Sequence, residues 1–496
     1  MTPKSISWLR DSEVKYLLLL VAIVFIRFCL MPLGSSLSLD ETGTYWVIQG
    51  NFQETLSRIA AWPGQPALFC IVEWGVKQVG GAREVVLRLP SVLAMGGTVV
   101  LLFRLGERLF DRLTALSAIL VFLCMRPVAY AATDARPYAL ALLTSIAAML
   151  FLLEWFDRRR SAHGIAYAVF ASLTIYLQPV FGVLFLVHAG YALYKLRQGS
   201  VSWRELIGLG GLVLLLLIPA IPGFLALGRI AKNFTHVPKP QLIEFLNALA
   251  LPSVCFAMIA GLFPFFGRDV LRFRPVLRNR EDLFFLASWA VVPVLLFFVT
   301  SLFLPTKLFA ARYMVSSAPA LALLFGWAIR AFEPAQVRRL ILLILAVTSI
   351  GLYGVVTRLW PNHDGNNWRA AMQAVRTAAG GKPGTLVLMQ SGFIESNNPR
   401  QFFDPALRDM LLAPTAYYPI DADVLPFPDH VNAENLKYLS QLSSSTLEPR
   451  GRFLFVTCES GNGLLEGFTG RLDERGFKST NIADFGEINL TMFERR

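Results

Sequence analysis

Asp40 and Glu41 stand side by side a few residues after an apolar run. Asp134 stands alone between two other apolar runs, in Thr133-Asp134-Ala135-Arg136-Pro137-Tyr138. Carboxylates at such places take a proton from a hydroxyl or an amine, or stabilise an oxocarbenium-like centre. Near a bilayer edge an ionised carboxylate is costly unless it is paired or used. Arginine is the complementary type, because its planar fork suits phosphate. Arg136 is followed closely by Tyr138 and Arg312 directly by Tyr313, with Lys307 just upstream. Arg27 lies inside the first apolar run and should face a polar interior. Each group also has a plainer use. Asp40 suits the N-cap of a helix starting near Thr42. Asp134 and Arg136 suit a local ion pair at helix ends. The basic residues suit snorkelling to headgroups.

The elements that must position these residues are membrane helices. Of the 496 residues 55% are hydrophobic and only 16% charged, well under the quarter usual in soluble chains. That excludes a disordered chain and argues against an ordinary cytosolic enzyme. Apolar segments long enough to span a bilayer fall near 16–33, 84–103, 113–130, 136–154, 163–178, 179–194, 205–224, 241–266, 283–304, 308–330 and 340–357. The first reads as a retained helix rather than a cleaved signal. One set of loops, beginning with the N-terminus, holds 20 Lys and Arg, and the other set holds 10. The positive-inside rule puts the first set in the cytoplasm. Eleven crossings then place the C-terminal segment outside.

The net charge of +12 does not indicate nucleic acid. Residues 1–357 hold 32 Lys and Arg against 18 Asp and Glu, whereas 358–496 hold 14 against 16. The excess therefore belongs to the membrane part, as topology signal and lipid-headgroup contact. Residues 358–496 read as an α/β extracytoplasmic domain. Helices are expected at Asn366–Ala379 and Gly463–Gly476, and strands at Thr385–Gln390, Phe453–Cys458 and Ile488–Glu494. The Pro-rich stretch Tyr417–Asp429 reads as loop. The first outer loop, 34–83, carries amphipathic stretches at Thr44–Ile59 and Ala67–Val79, rich in Trp and Phe, that suit the membrane interface. The five cysteines make no metal-like spacing and no disulfide framework. The five histidines form no metal-like pair. His363, Asp364 and Asp404 read as scattered loop residues.

Several local patterns, taken in order, resemble one family. They are Leu39-Asp40-Glu41 after the first helix, Leu87-Arg88-Leu89-Pro90-Ser91 opening the second, and Asp134-Ala135-Arg136-Pro137-Tyr138. Arg312-Tyr313 before a late helix and Asn367-Trp368-Arg369 in the terminal domain complete the set. The chain resembles the integral-membrane glycosyltransferases of the GT-C fold, near the bacterial relatives of protein O-mannosyltransferases and of the lipid A aminoarabinose transferase. The resemblance covers nearly the whole chain. It implies a polyprenyl-phosphate sugar donor and transfer on the outer face of the cytoplasmic membrane. It also implies Asp40 as catalytic carboxylate and Asp134 as an assisting acid, with Glu41 beside them. Arg136, Arg312 and Lys307 are the expected donor-phosphate ligands. Arg27, Arg58, Gln65, Tyr138 and Tyr313 complete the expected site lining. Relatives often carry His-Pro-Pro where this chain has Gln65-Pro66-Ala67, and often His at the turn held here by Gln178-Pro179. No resident metal or other cofactor is therefore expected, although the carboxylates are compatible with a divalent ion.

The preferred reaction is a metal-free single displacement with inversion. The competing class is a transporter or flippase of a lipid-linked or anionic solute. It shares the need for intramembrane charge but explains neither the amphipathic loop headed by Asp-Glu nor a 139-residue outer domain. A sensor would need an output domain that is not evident. The acceptor is not legible in the sequence.

Overall fold

The computed structural model describes residues 11–62, 66–230, 239–266, 271–274, 280–304, 308–353, 362–380, 385–393, 396, 402–429, 431–458 and 463–496. They form two compact units. The first comprises residues up to Leu33, Pro66–Val72 and Val85–Pro361. The second comprises Gly34–Gln65, Glu73–Glu84 and Asn362–Arg496.

In chain order the helices to the end of the first unit are α1 (Ser12–Phe25), α2 (Leu39–Ile48), α3 (Phe52–Ala61), α4 (Ala67–Gly80), α5 (Glu84–Leu109), α6 (Arg112–Leu123), α7 (Arg126–Ala132), α8 (Tyr138–Arg158), α9 (Ser161–Leu177), α10 (Leu184–Arg197), α11 (Trp203–Leu217), α12 (Ile221–Ile230), α13 (Leu242–Ala248), α14 (Leu251–Leu262), α15 (Arg280–Phe303), α16 (Ala311–Met314), α17 (Ala318–Arg330) and α18 (Ala335–Tyr353). A short ribbon pairs β1 (Arg272–Phe273) antiparallel with β2 (Phe332–Glu333). Among the described residues seven helical segments are long and apolar enough to cross a bilayer, or nine if each bent pair counts as one span. Eleven spans were expected. The other two fall on α9, which is 17 residues long, and on α18, whose first turns carry Arg338 and Arg339.

The bends have local causes. The α6–α7 pair turns by 79° at Cys124-Met125, where Pro127 opens α7 and has no N–H to continue the ladder. The α13–α14 pair turns by 68° at Ala250, which sits in the left-handed region at φ 54°, just before Pro252. The core of this unit is one apolar cluster through α1, α5, α6, α8, α15 and α17. α17 packs closely on α6, since a Cβ on Gly326 would lie 2.8 Å from the Ala118 backbone nitrogen. Ion pairs tie its basic ends together. Arg338 grips Glu13 through two 2.9 Å bonds, and Lys195 meets Glu281 at 2.7 Å.

In the second unit, Gly34–Gln65 and Glu73–Glu84 group with the terminal domain. That domain adds α19 (Trp368–Ala379), β3 (Leu386–Met389), α20 (Pro405–Leu411), α21 (Ala413–Tyr417), β4 (Asp423–Pro426), α22 (Ala433–Leu442), α23 (Glu448–Arg450), β5 (Arg452–Cys458), α24 (Gly463–Glu474), β6 (Phe477–Phe485) and β7 (Ile488–Arg495). The strand order is β4-β3-β5-β7-β6. β3 runs parallel to both β4 and β5, while β7 runs antiparallel to β5 and β6. Period-two alternation sends Val387 and Met389 to the α19 face and Leu386 and Leu388 to the face covered by α22 and α24.

Both expected helices and all three expected strands of this domain are present, to within a residue or two. Two strands were not foreseen. β4 lies inside the stretch read as loop; it is an edge strand, the one place a sheet accepts a proline such as Pro426. β6 is the opposite edge, and its polar run Lys478–Asn481 faces outward, so it lacks an apolar signature.

Candidate functional site

In the second unit the carboxylate pair opens α2. Ser38, not Asp40, is the N-cap. Its hydroxyl accepts the Glu41 N–H at 3.3 Å, and the Glu41 carboxylate accepts the Ser38 N–H at 2.7 Å. This reciprocal pair is a capping box. The plainer alternative, Asp40 as the cap, is therefore set aside: Asp40 sits in the first turn, half-buried, where the helix dipole favours a carboxylate. Glu41, only 1% exposed, is committed to the cap.

The stretch before α2 is held by residues from the end of the chain. The Ser35 and Ser36 hydroxyls accept the N–H groups of His363 and Arg369 at 3.0 and 3.1 Å. Arg369 donates to the Gly34 carbonyl at 3.0 Å and pairs with Glu84 at 2.5 Å. The Tyr418 hydroxyl accepts the Leu37 N–H at 2.9 Å and donates to Glu84 at 3.1 Å. Tyr417 donates to the Ala82 carbonyl at 2.6 Å. Burial pushes both tyrosine hydroxyls above their usual range. His363 and Asp364, read from sequence as scattered loop residues, stand near Glu41. A ring nitrogen of His363 and a carboxylate oxygen of Glu41 lie within 4.8 Å, a donor pair able to take part in holding a cation. Burial raises the Asp364 carboxyl, against the pull of His363 and the Gly365 N–H.

The middle of α2 makes a close approach. A Cβ on Gly43 would come 3.0 Å from the Trp62 ring and 3.2 Å from Phe393. Trp46 and Trp62 are buried inside this unit, 6.4 Å apart, rather than presented to lipid as the interfacial reading expected. The stretch Thr44–Ile59 is also two helices, divided where Asn51 caps α3. The far end of α2 is clasped. Lys77 donates to the carbonyls of Ile48, Gln49 and Gly50 at 2.5, 2.9 and 3.3 Å. Trp74 reaches the Gly50 carbonyl at 3.2 Å. Arg58 donates to the Trp46 carbonyl and lies 4.9 Å over the Trp46 ring, so it braces α2. Gln65 and Lys307 lie outside the described residues.

In the first unit Asp134, Arg136 and Tyr138 are all buried in one loop and the start of α8. Ser91 holds that loop, donating to the carbonyls of Asp134 and Arg136 at 2.6 and 3.4 Å. One turn earlier on α5, Arg88 is wholly buried and donates to the carbonyls of Pro32 and Leu33 at 3.2 and 3.0 Å. The Leu87–Ser91 segment thus fixes both the end of the first helix and the Asp134 loop. Arg27 sits, partly buried, on a π-helical turn, Ile26–Leu30, that continues α1. Arg312 is exposed on α16, 5.5 Å over the ring of Tyr313. α7 packs on both the π turn and α16, so one short helix links the elements bearing Arg27, Arg312 and the Asp134 loop.

Residues 65–222 match the family of dolichyl-phosphate-mannose-protein mannosyltransferases. No curated protein compared matches the chain. Among solved structures the chain is similar to ArnT from Cupriavidus metallidurans bound to undecaprenyl phosphate, with a TM-score of 0.57 and 15% identity, over 96% of this chain and 98% of that one. The apo state of the same protein gives a TM-score of 0.56 and 14% identity, over 97% and 98%. With its apolar helices, its C-terminal sheet domain and that family pattern over 65–222, this is a membrane protein of the GT-C glycosyltransferase fold.

Proposed function

We propose that this glycosyltransferase moves a sugar from a polyprenyl-phosphate carrier to a hydroxyl or amine acceptor on the outer face of the cytoplasmic membrane. Asp40 is the carboxylate that takes the acceptor proton as the acceptor attacks the anomeric carbon. The bond from that carbon to the phosphate oxygen breaks on the opposite side, with inversion. Polyprenyl phosphate leaves with added negative charge, which Arg136, Arg312 and Lys307 stabilise. Asp134 assists as a second acid. The undecaprenyl phosphate of the ArnT complex and the dolichyl-phosphate donor in the matching family's description support a lipid-linked donor. The cytoplasmic N-terminus and outer terminal domain follow from the loop charges.

The observation that carries the assignment of Asp40 is the capping box. With Ser38 and Glu41 closing the helix end, capping does not account for Asp40. The test is transfer by purified protein in nanodiscs supplied with a polyprenyl-phosphate sugar and candidate acceptors. Asp40→Asn is expected to abolish transfer while melting like wild type. A well-folded Asp40→Asn protein with near-normal turnover would refute the assignment.

A further inference from the structure

In the terminal domain, α20, α21 and β4 border a cavity of about 480 Å³, within the roughly 300–1,000 Å³ usual for small-molecule sites. Thr415 of α21 lines it, whereas Tyr417, two positions on, meets the Tyr45 ring of α2 at 4.7 Å. Residues two apart on a helix do not share a face. One side of α21 therefore borders the cavity while another packs on α2, the helix of Asp40.

The wall combines three kinds of group. Phe403 supplies an open aromatic face: at 73% exposed it is the most exposed large apolar side chain among the described residues of this domain. The ring is fixed, edge to face on Tyr438 at 6.3 Å, and the buried Phe402 meets the same tyrosine at 5.1 Å. Tyr438 is itself anchored by a 3.1 Å bond from its hydroxyl to the Pro426 carbonyl. Arg408 is half-buried and aimed by a 3.2 Å bond to the Val424 carbonyl. Among the described residues that is the side chain's one polar bond, so most of its five donors stay open. Asp409, the next residue, is exposed, and its carboxylate has no partner among the described residues.

This set discriminates between ligands. Phosphate would gain from Arg408 and be repelled by Asp409, and a cation would meet the reverse. A purely apolar molecule would leave both groups without a bond. A pyranose suits all three: its C–H face lies on the Phe403 ring, while its hydroxyls donate to Asp409 and accept from Arg408. We propose that this cavity binds a neutral sugar residue, and that this sugar belongs to the acceptor. The acceptor is then a saccharide-bearing molecule held by the terminal domain while a further hydroxyl or amine of it reaches Asp40. That second part rests on the transferase reading, but the binding of sugar does not.

The experiment titrates the full chain, in nanodiscs free of glycoside detergent, with the methyl glycosides of glucose, mannose, galactose and N-acetylglucosamine. Saturation-transfer NMR and calorimetry read binding. At least one glycoside should bind, and Phe403→Ala and Asp409→Asn should each weaken it roughly tenfold. Both variants should melt like wild type, because both side chains are exposed. Silence of the whole panel, or binding that both variants keep, would overturn the site. Inorganic phosphate is the counter-probe, and a cavity that takes phosphate but no glycoside would also overturn it. Turnover then tests the acceptor role: with a saccharide acceptor, Phe403→Ala should raise the acceptor KM more than it lowers kcat. An unchanged acceptor KM would refute the role and leave the binding. Failure of wild type to transfer any sugar would instead refute the transferase reading, with the titration intact.

Discussion

Adjacent carboxylates can end in different employment. Glu41 closes a capping box and is buried, while Asp40, one residue before it, stays half-exposed at the helix entrance. The pattern Ser38-Leu39-Asp40-Glu41 is itself a capping-box signature. The cap was therefore legible in the sequence, although the plainer use weighed for Asp40 was to fill the place that Ser38 takes. The burial of Glu73 on α4 was not legible, because a lone acid on an amphipathic run reads as a solvated face. For the arginines, losing a charge-assisted contact to phosphate costs about 1.5–3 kcal/mol. Arg136→Ala and Arg312→Ala should each weaken binding of undecaprenyl phosphate roughly ten- to hundredfold, measured by titration in nanodiscs. Lys at either position should restore only part, since it lacks the fork. Unchanged affinity in both Ala variants would leave Arg136 as a loop residue and Arg312 as a surface cation.

At the scale of elements, α2 is a short helix held at both ends by other parts of its unit. Lys77 and Arg58 brace its C-terminal half, and Ser38 and Glu41 close its N-terminus. Ser38→Ala removes the cap hydroxyl and should cost about 1 kcal/mol. A lowered melting temperature with a larger loss in kcat than in KM is the expected result, because a frayed first turn misplaces Asp40. A loss confined to stability would separate the cap from catalysis. The apolar helices were legible because a bilayer imposes length and hydropathy on them. β4 and β6 were not, because edge strands need neither a full apolar face nor freedom from proline. The staple formed by Tyr417, Tyr418, Glu84 and Arg369 was also invisible. Its parts lie far apart in the chain and share no periodicity.

At the scale of the molecule, the loop-charge bias predicts orientation. A periplasm-active reporter fused after Arg496 should be active, and a cytoplasm-active one silent. The reverse result would invert the topology and with it the side on which transfer takes place. Within the first unit the ion pairs Glu13–Arg338, Lys195–Glu281 and Arg108–Asp157 each join two ends drawn from the same basic set of loops, as an alternating helix bundle requires.

The bond from the Leu37 N–H to Tyr418 joins residues 381 positions apart. Leu37 leaves the ribosome early and Tyr418 near the end of synthesis. Gly34, Ser35 and Ser36 likewise wait for His363 and Arg369. The segment leading into the Asp40 helix therefore lacks its buttress until most of the terminal domain has been made. Such long-range closure is slow relative to local helix formation. A nascent or prematurely ended chain carries Asp40 without the bonds that hold the segment before it. On the proposed reading, a half-made chain would then sit in the membrane without consuming the lipid-linked donor.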